Sequence, residues 1–326
     1  MRRFKVTYIS QSESGHDNRF LSTLRKKFEI KTFFLDNYRD GLSFLEFSDD
    51  SIIIANPLSG GITAIGKGTV IPIIGICMAY EINEEAKNEK NKKQIIENIN
   101  RCAGIICDSK YIEDQIRNEY QYSGKILRVP YGCDQQLFST VKFSPSKKLR
   151  IISTRSWTPL HSNETILEAL EILALRNIDF EILLLGDGPQ LQEATKGKEN
   201  LLRKNIEFGG GYTRTELVEN FRQYEVYISA SISDGTSVSL LEALSSGRIC
   251  ICRDFPSNVE WIEHGVTGFL FKDVAMLADI LEEINFMSVE SREKMSVQAR
   301  LKVLNIADWE KNESSFLTFI ENMATK

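Results

Sequence analysis

From Tyr227 to Gly247 the chain reads YISASISDGTSVSLLEALSSG. A short apolar run opens the stretch, Ser233-Asp234-Gly235-Thr236-Ser237 breaks it, and an apolar run at helical spacing continues to Gly247. That is a strand, a loop and a helix, the repeating step of doubly wound α/β sheets. Thr236 or Ser237 can cap the helix by accepting a bond from an orphan backbone N–H. The first-turn amides, with the positive end of the helix dipole, then form a site for an anion such as a phosphate. Asp234 stands just before the helix, and Glu242, eight positions on, about two turns inside it. Two carboxylates therefore flank one phosphate-ready helix start.

The alternation extends to both sides of this stretch. Upstream, Leu149–Ser153 reads as a strand that delivers Thr154-Arg155-Ser156-Trp157. Ligands of open α/β sheets bind beyond the carboxyl ends of strands, which puts Arg155 at a binding edge. Its planar fork suits a diphosphate, and a surface ion pair is the alternative use. A helix over Asn163–Arg176 and an almost wholly apolar strand, Phe180–Leu185, follow; such a run is expected where helices cover both faces of a sheet. Gly186-Asp187-Gly188-Pro189 makes a tight turn, and Asn205–Phe208 a strand before Gly209-Gly210-Gly211-Tyr212, where glycines allow close approach to the main chain. Leu217–Tyr224 reads as helix. Downstream, Arg248–Cys252 is a strand, Glu260–Glu263 a helix, and Gly268–Phe271 a short last strand. The final helix sets Trp309, Phe316, Ile320 and Met323 on one face.

The first half has the same grammar. Phe4–Ile9 alternates as a strand and leads through Ser12-Glu13-Ser14-Gly15-His16 into a helix bearing Phe20, Leu21 and Leu24. Gly15 either permits a tight turn or leaves amides open to a ligand. Apolar runs at Lys31–Leu35, Ser51–Ala55, Val70–Cys77, Gly104–Cys107 and Lys125–Val129 supply further strands. Glu81–Lys93, dense in Glu, Lys and Asn, reads as an exposed loop or surface helix. Asp108-Ser109 caps a helix through Tyr111, Ile112 and Ile116. Val141–Lys148, rich in Lys and Ser with Pro145, reads as an interdomain linker. At 326 residues two domains are expected: 1–142, 149–305, and a helix over 306–326 that packs back on the first domain.

Composition narrows the classes. Hydrophobic content of 42% and charged content of 26% are those of a globular protein. No apolar run approaches the roughly 20 residues of a membrane span. The start, MRRFKVTYIS, runs straight into strand-like alternation without a signal-peptide core, which points to the cytoplasm. Six cysteines, at 77, 102, 107, 133, 250 and 252, show no CxxC spacing and no metal-like grouping with the three histidines. They read as small buried hydrophobes in a reducing compartment. Residues 1–148 carry 22 Lys and Arg against 18 Asp and Glu, and the rest 18 against 27. Nothing in that balance supports nucleic-acid binding. A mildly basic first half could make peripheral contact with an anionic membrane surface or a phosphorylated acceptor, although solvated faces explain it more simply.

Taken together, these motifs resemble the retaining glycosyltransferases of family four, which have the GT-B architecture of two facing Rossmann-like domains with a cleft between them. The specific match is Asp234-Gly235-Thr236-Ser237-Val238-Ser239-Leu240-Leu241-Glu242-Ala243: an acidic residue, seven others, then Glu. Gly186-Asp187-Gly188-Pro189, the loop from Asp254 to Glu260, Gly265–Leu270, and Pro130-Tyr131-Gly132-Cys133-Asp134 with Phe138 resemble further family motifs. The resemblance covers about Gly104–Phe271 well and the first hundred residues in outline.

The resemblance implies roles at the matching positions. Glu242 would hold the donor's ribose hydroxyls and Asp234 hydroxyls of the donor sugar. Amides of Ser237, Val238 and Ser239 would cradle the diphosphate, Arg155 would neutralise it, and the turns at Gly186 and Tyr212 would border the base. Asp234, Glu242 and Arg155 are the candidate catalytic residues; Gly15, Asp187, Gly188, Thr213, Gly235 and Thr236 complete the donor set. Three departures stand out. The first acid is usually Glu rather than Asp. The family's Lys about five residues after the Arg is absent, with Thr158-Pro159-Leu160-His161 in its place, so His161 replaces that cation or Arg155 carries the diphosphate largely alone. No histidine lies between His16 and His161 to match one often found in the first domain.

The expected activity is retaining transfer of a sugar from a nucleotide-diphosphate sugar to a glycan or lipid-linked hydroxyl. No cofactor or metal is expected, since no Asp-x-Asp occurs. A sugar-nucleotide epimerase of the same architecture and a non-catalytic sugar-nucleotide-binding protein are the alternatives.

Overall fold

The structure is a computed structural model and describes residues 4–37, 52–139, 148–196 and 205–324. Two six-stranded sheets organise it. The chain divides into two units, Met1–Pro130 with Trp309–Lys326, and Tyr131–Asp308.

In the first unit the strands are β1 (Lys5–Ser10), β2 (Glu29–Phe34), β3 (Ile52–Asn56), β4 (Ile73–Ile76), β5 (Gly104–Cys107) and β6 (Lys125–Arg128). They lie in the order β2-β1-β3-β4-β5-β6, all parallel. The order reverses between β1 and β3, so ligands are expected beyond the carboxyl ends of those two strands. β3, β4 and β5 are buried along their whole length, as strands covered on both faces must be.

Helix α1 (Gly15–Arg25) is entered through a capping box in which Ser14 and Asp17 satisfy each other's backbone N–H. α2 (Leu58–Thr63) follows β3. α3 (Glu89–Arg101) is capped by Asn88 and α4 (Lys110–Asn118) by Ser109. The C-terminal helix, Trp309–Ala324, belongs to this unit and buries Phe316, Ile320 and Met323. Phe316 stacks on Phe20 of α1 at 5.4 Å, and Glu313 meets Lys26 at 2.6 Å.

The second unit carries β7 (Leu149–Ser153), β8 (Phe180–Leu185), β9 (Ile206–Gly210), β10 (Val226–Ser229), β11 (Ile249–Arg253) and β12 (Phe269–Phe271). Their order is β12-β11-β10-β7-β8-β9, again all parallel, with the reversal between β7 and β10. α5 (Asn163–Leu175), α6 (Arg214–Gln223), α7 (Val238–Ser245), α8 (Val274–Phe286) and α9 (Val289–Ile306) cover the faces. The two-residue period of the strands sorts the core into two layers. Ile151, Ile228 and Ile251 pack with Leu170 of α5 and Leu281 of α8. Their neighbours Ile152, Tyr227, Cys250 and Cys252 pack on the opposite face with Leu240 and Leu244 of α7. All six cysteines are buried as thiols.

Several boundaries differ from the sequence reading. The division falls after Pro130, not at 142. Cys133 and Phe138 are built into the core of the second unit, and the Phe138 carbonyl accepts from Ser245 Oγ at 2.9 Å. Of the expected linker, 141–147 lie outside the described residues. The helix expected at Glu260–Glu263 is instead one turn over Pro256–Val259, where Pro256 takes a first-turn position that needs no N–H donor. Glu81, expected in an exposed stretch, is 0% exposed; exposure begins at Lys87.

Candidate active site

Helix α7 starts at Val238 with Ser237 as its cap, the Ser237 hydroxyl accepting from Leu240 N at 3.4 Å. Glu242 is the fifth residue of the helix, so it lies in the second turn, closer to the start than the sequence reading placed it. The helix ends on Gly247, at φ 70°. Gly247 N bonds Leu244 O at 3.0 Å and Arg248 N bonds Ala243 O at 2.9 Å, the paired closure that a left-handed glycine permits. Both ends are thus set by local chemistry, which fixes where the amides of Val238 and Ser239 open the helix.

Arg155, just beyond β7, comes to that helix start. Its Nη2 lies 2.7 Å from Asp234 Oδ2. Its Nη1 donates to Ser237 Oγ at 2.9 Å and Ser239 Oγ at 3.3 Å. Ser239 also meets the phenol of buried Tyr227 at 2.9 Å. The Nε of Arg155 is buried with no hydrogen-bond partner. Burial opposes the guanidinium charge, but Asp234 together with Tyr227, Cys252 and Tyr212 outweighs it and the pKa is raised. A cation beside a helix N-terminus is unfavourable by itself; here Asp234 supplies the anion that makes it tolerable.

His161 Nδ1 lies 3.3 Å from Arg155 Nη2 and 3.2 Å from Ser231 Oγ. Burial, and then the Arg155 charge, push its pKa down to about 4. Arginine only donates, so Nδ1 accepts and the ring proton sits on Nε2. In the free chain His161 is therefore a neutral partner of Arg155 at pH 7 and not a second cation.

Glu242 is buried, and its Oε1 lies 3.3 Å from Arg214 Nη2. Arg214 opens α6 and lies over the Phe138 ring, 5.4 Å from its centroid. Thr213 is the cap of that helix, in a capping box with Glu216, so its hydroxyl has a structural task. The Tyr212 hydroxyl donates to Thr154 O at 3.2 Å, and burial raises its pKa.

The Gly186-Asp187-Gly188 turn lies against the Arg155 segment. A Cβ on Gly186, whose φ is 99°, would stand 2.9 Å from Arg155 O, and one on Gly188 would stand 2.3 Å from Trp157 O. Trp157 N donates to Asp187 O at 3.0 Å and Gly186 N to Gly210 O at 2.6 Å. These glycines let the ends of β7, β8 and β9 pack backbone to backbone, and any side chain there would displace Arg155.

The structure therefore joins Arg155, His161, Asp234, Ser237 and Ser239 in one hydrogen-bonded group. Gly235 N closes on Asp234 Oδ1 at 3.0 Å, and Thr236 is buried beside it. Glu242 of α7 and Arg214 of α6 form a second group. Gly15 lies in the other unit as the first residue of α1; a Cβ there meets nothing within 4 Å and its φ is not left-handed, so the turn itself does not require glycine. Sequence reasoning missed Arg214, Tyr227 and Ser231. Ser231 alternates with Ser229 inside the quoted stretch, and Arg214 follows a Thr cap, which are the only local signals of either.

A positive donor group at a helix start, with acceptors flanking it, can hold a polyanion and the hydroxyls attached to it. The family model for glycosyl transferases group 1 matches residues 134–302, just over half of the chain. The chain is 28% identical over 170 residues to the GtfA subunit of a UDP-N-acetylglucosamine–peptide N-acetylglucosaminyltransferase from Streptococcus pneumoniae, covering 50% of this chain and 32% of that protein. It is 22% identical over 182 residues to alpha-monoglucosyldiacylglycerol synthase of the same species, covering 52% and 41%. This chain thus spans less than half the length of these relatives. Among solved structures, HepE of Anabaena in complex with UDP and glucose superposes with a TM-score of 0.77 at 14% identity, over 98% of this chain and 99% of that one, a likeness of fold. The match across residues 134–302 establishes that this chain belongs to the glycosyl transferases group 1 family.

Proposed function

We propose that this chain is a retaining glycosyltransferase that moves a sugar from a nucleotide-diphosphate sugar to a hydroxyl of a glycan or lipid-linked acceptor, without a metal ion. The observation that carries this reading is the group formed by Arg155, Asp234 and the start of α7. A diphosphate on the α7 amides takes over from Asp234 as the counterion of Arg155 and meets the unused Nε donor. Asp234 is then released to bind hydroxyls of the transferred sugar. The bond from the anomeric carbon to the diphosphate breaks with its electron pair leaving on phosphate oxygen, and Arg155 with the helix amides stabilises that growing charge. The acceptor oxygen bonds the anomeric carbon on the same face, and its proton passes to the departing phosphate. UDP in the names of GtfA's parent enzyme and of the HepE complex favours a uridine diphosphate donor. Among the described residues no helix is long and apolar enough to cross a membrane, and a cytoplasmic site of action, peripheral to the membrane where the acceptor is a lipid, fits this reading.

The test is release of free nucleoside diphosphate from UDP-, GDP- and ADP-linked sugars, with and without a chelator. Release that survives chelation supports the reading. An altered sugar on an intact diphosphate would replace it with epimerisation, and binding without turnover with a non-catalytic role.

A further inference from the structure

A guanidinium has five N–H donors, and in the free chain the partners of Arg155 occupy four of them. Nη1 donates to Ser237 Oγ at 2.9 Å and to Ser239 Oγ at 3.3 Å. Nη2 meets Asp234 Oδ2 at 2.7 Å and His161 Nδ1 at 3.3 Å. Only Nε, buried and without a partner, is left over. A diphosphate that draws more than one hydrogen bond from Arg155 must therefore take donors away from the protein. Of the four partners Asp234 alone is an anion, so it is the one a second anion competes with directly.

That competition is strong because both side chains are mostly covered, Arg155 at 14% exposed and Asp234 at 23%. Water screens a pair of this kind far less than one on the surface. Nor is the carboxylate loose. Its Oδ1 accepts from Gly235 N at 3.0 Å, and the Asp234 carbonyl accepts from Ser257 Oγ at 3.1 Å. With a single methylene in the side chain, the carboxylate stays close to the guanidinium when another anion arrives.

A nucleotide sugar and a nucleoside diphosphate therefore meet different resistance. Sugar hydroxyls are donors that replace Arg155 as the partner of Asp234, whereas a nucleoside diphosphate without its sugar brings the carboxylate nothing in exchange.

We propose that Asp234 is an internal competitor for Arg155 that favours the sugar-bearing donor over the spent nucleoside diphosphate; this rests on the donor reading of the preceding section. The hydroxyls of a bound sugar draw the carboxylate off the guanidinium, and the diphosphate takes its place. After transfer those hydroxyls leave with the product, the carboxylate returns to Arg155, and the diphosphate is held less tightly. Sugar and diphosphate thus raise each other's affinity through one shared cation, and couplings of this kind are usually about five- to 150-fold.

Calorimetric titration of the full chain with UDP, GDP and ADP tests this, using Asp234→Asn, which keeps the shape of the side chain and removes its charge. The diphosphate that binds the parent most tightly should bind Asp234→Asn about ten-fold tighter; binding seen only in the variant is the extreme form of that result. If Asp234 served the sugar alone, the variant would bind the diphosphate no better than the parent. In an Arg155→Ala background the same Asp234→Asn change should bring no such gain, because the cation under competition is gone. Arg155→Gln takes the place of Arg155→Ala if the latter does not melt cooperatively. Unchanged or weaker diphosphate binding by Asp234→Asn overturns the inference. So does a gain of equal size without Arg155, which would make Asp234 a repelling charge and not a competitor. Either result, with a diphosphate still bound by the parent, leaves the transferase reading standing. No diphosphate bound by the parent or by Asp234→Asn removes the donor reading and this inference with it.

Discussion

Arg155 reaches from the end of β7 to Asp234 beyond the end of β10, 2.7 Å between Nη2 and Oδ2, and so bridges the two strands between which the sheet order reverses. Each side chain holds the other in place of a ligand. Arg155→Ala removes the only cation of that group, and kcat/KM for nucleotide-sugar turnover should fall about 10²- to 10³-fold, as when a preorganised charge-stabilising donor is lost. Asp234→Ala should abolish transfer and leave nucleoside diphosphate binding intact, since Arg155 then has no competing partner. Both should melt cooperatively. Full transfer by Asp234→Ala would remove Asp234 from the site.

His161 is neutral in the free chain, and its part is to accept from Arg155. His161→Gln keeps an acceptor there and should hold kcat/KM within a few-fold of the parent at pH 7.5, in contrast to Arg155→Ala. The sign of its pH effect follows from the pKa of about 4 against about 6.5 in an unfolded chain. Between those values the folded chain binds fewer protons, so stability is present above about 6.5 and is lost as pH falls toward 4. Denaturant melts at pH 7 and pH 4.5 should show a smaller loss in His161→Gln than in the parent. An equal loss would show that His161 is not the titrating group.

Much of this was legible in the sequence, for a local reason. The stretch from Tyr227 to Gly247 contains its own strand, cap, helix and closing glycine, so Ser237 as a cap and Gly247 as a left-handed stop follow from neighbouring residues alone. The less legible features depend on residues far apart in the chain. Arg214 meets Glu242 across 28 positions, and Arg214 by itself looks like any charged first-turn residue. Glu81 lay hidden at the edge of a charged run; its burial depends on the amides of Leu58 and Met78 coming together. The domain division was misplaced because 131–138 reads as a turn-rich connection, while in the fold Cys133 and Phe138 enter the core of the second unit. Helix α8 carries clear local signals, with Asp273 as a cap and Leu277, Ile280, Leu281 and Ile284 at helical spacing.

The Arg214–Glu242 pair tests the second group on α7. Arg214 is half exposed while the Glu242 side chain is 8% exposed, so solvent weakens the attraction and the pair is worth at most about 1 kcal/mol. If Glu242 holds ribose hydroxyls, Arg214 aims its carboxylate. Arg214→Ala should therefore raise KM for the nucleotide sugar by up to about five-fold with kcat little changed, whereas Glu242→Gln should cost more. Steady-state kinetics of the two variants decide this, and a fall in kcat alone for Arg214→Ala would contradict it.

Glu81 gives the first unit a pH dependence of opposite sign to that of His161. Burial pushes its carboxyl up to about 7, against the opposing effect of the amides that bond it. An unfolded glutamate titrates near 4.3, so between about 4.3 and 7 the folded chain binds more protons than the unfolded one. Stability from this group is thus greatest at the acid end of that window and declines as pH rises through 7. The full swing is of the order of 3 kcal/mol, large beside the 5–15 kcal/mol that holds a typical domain together. Other carboxylates pull the opposite way, Asp17 among them: burial opposes its charge, but hydrogen bonds from Ser14, Tyr8, Ser10 and Asn56 together outweigh it and hold its pKa low. The difference between parent and Glu81→Gln is therefore the quantity to measure. Denaturant melts from pH 5 to pH 8 should show the variant gaining on the parent as pH rises, because it has no proton to lose. A constant difference across that range would place the Glu81 titration outside it.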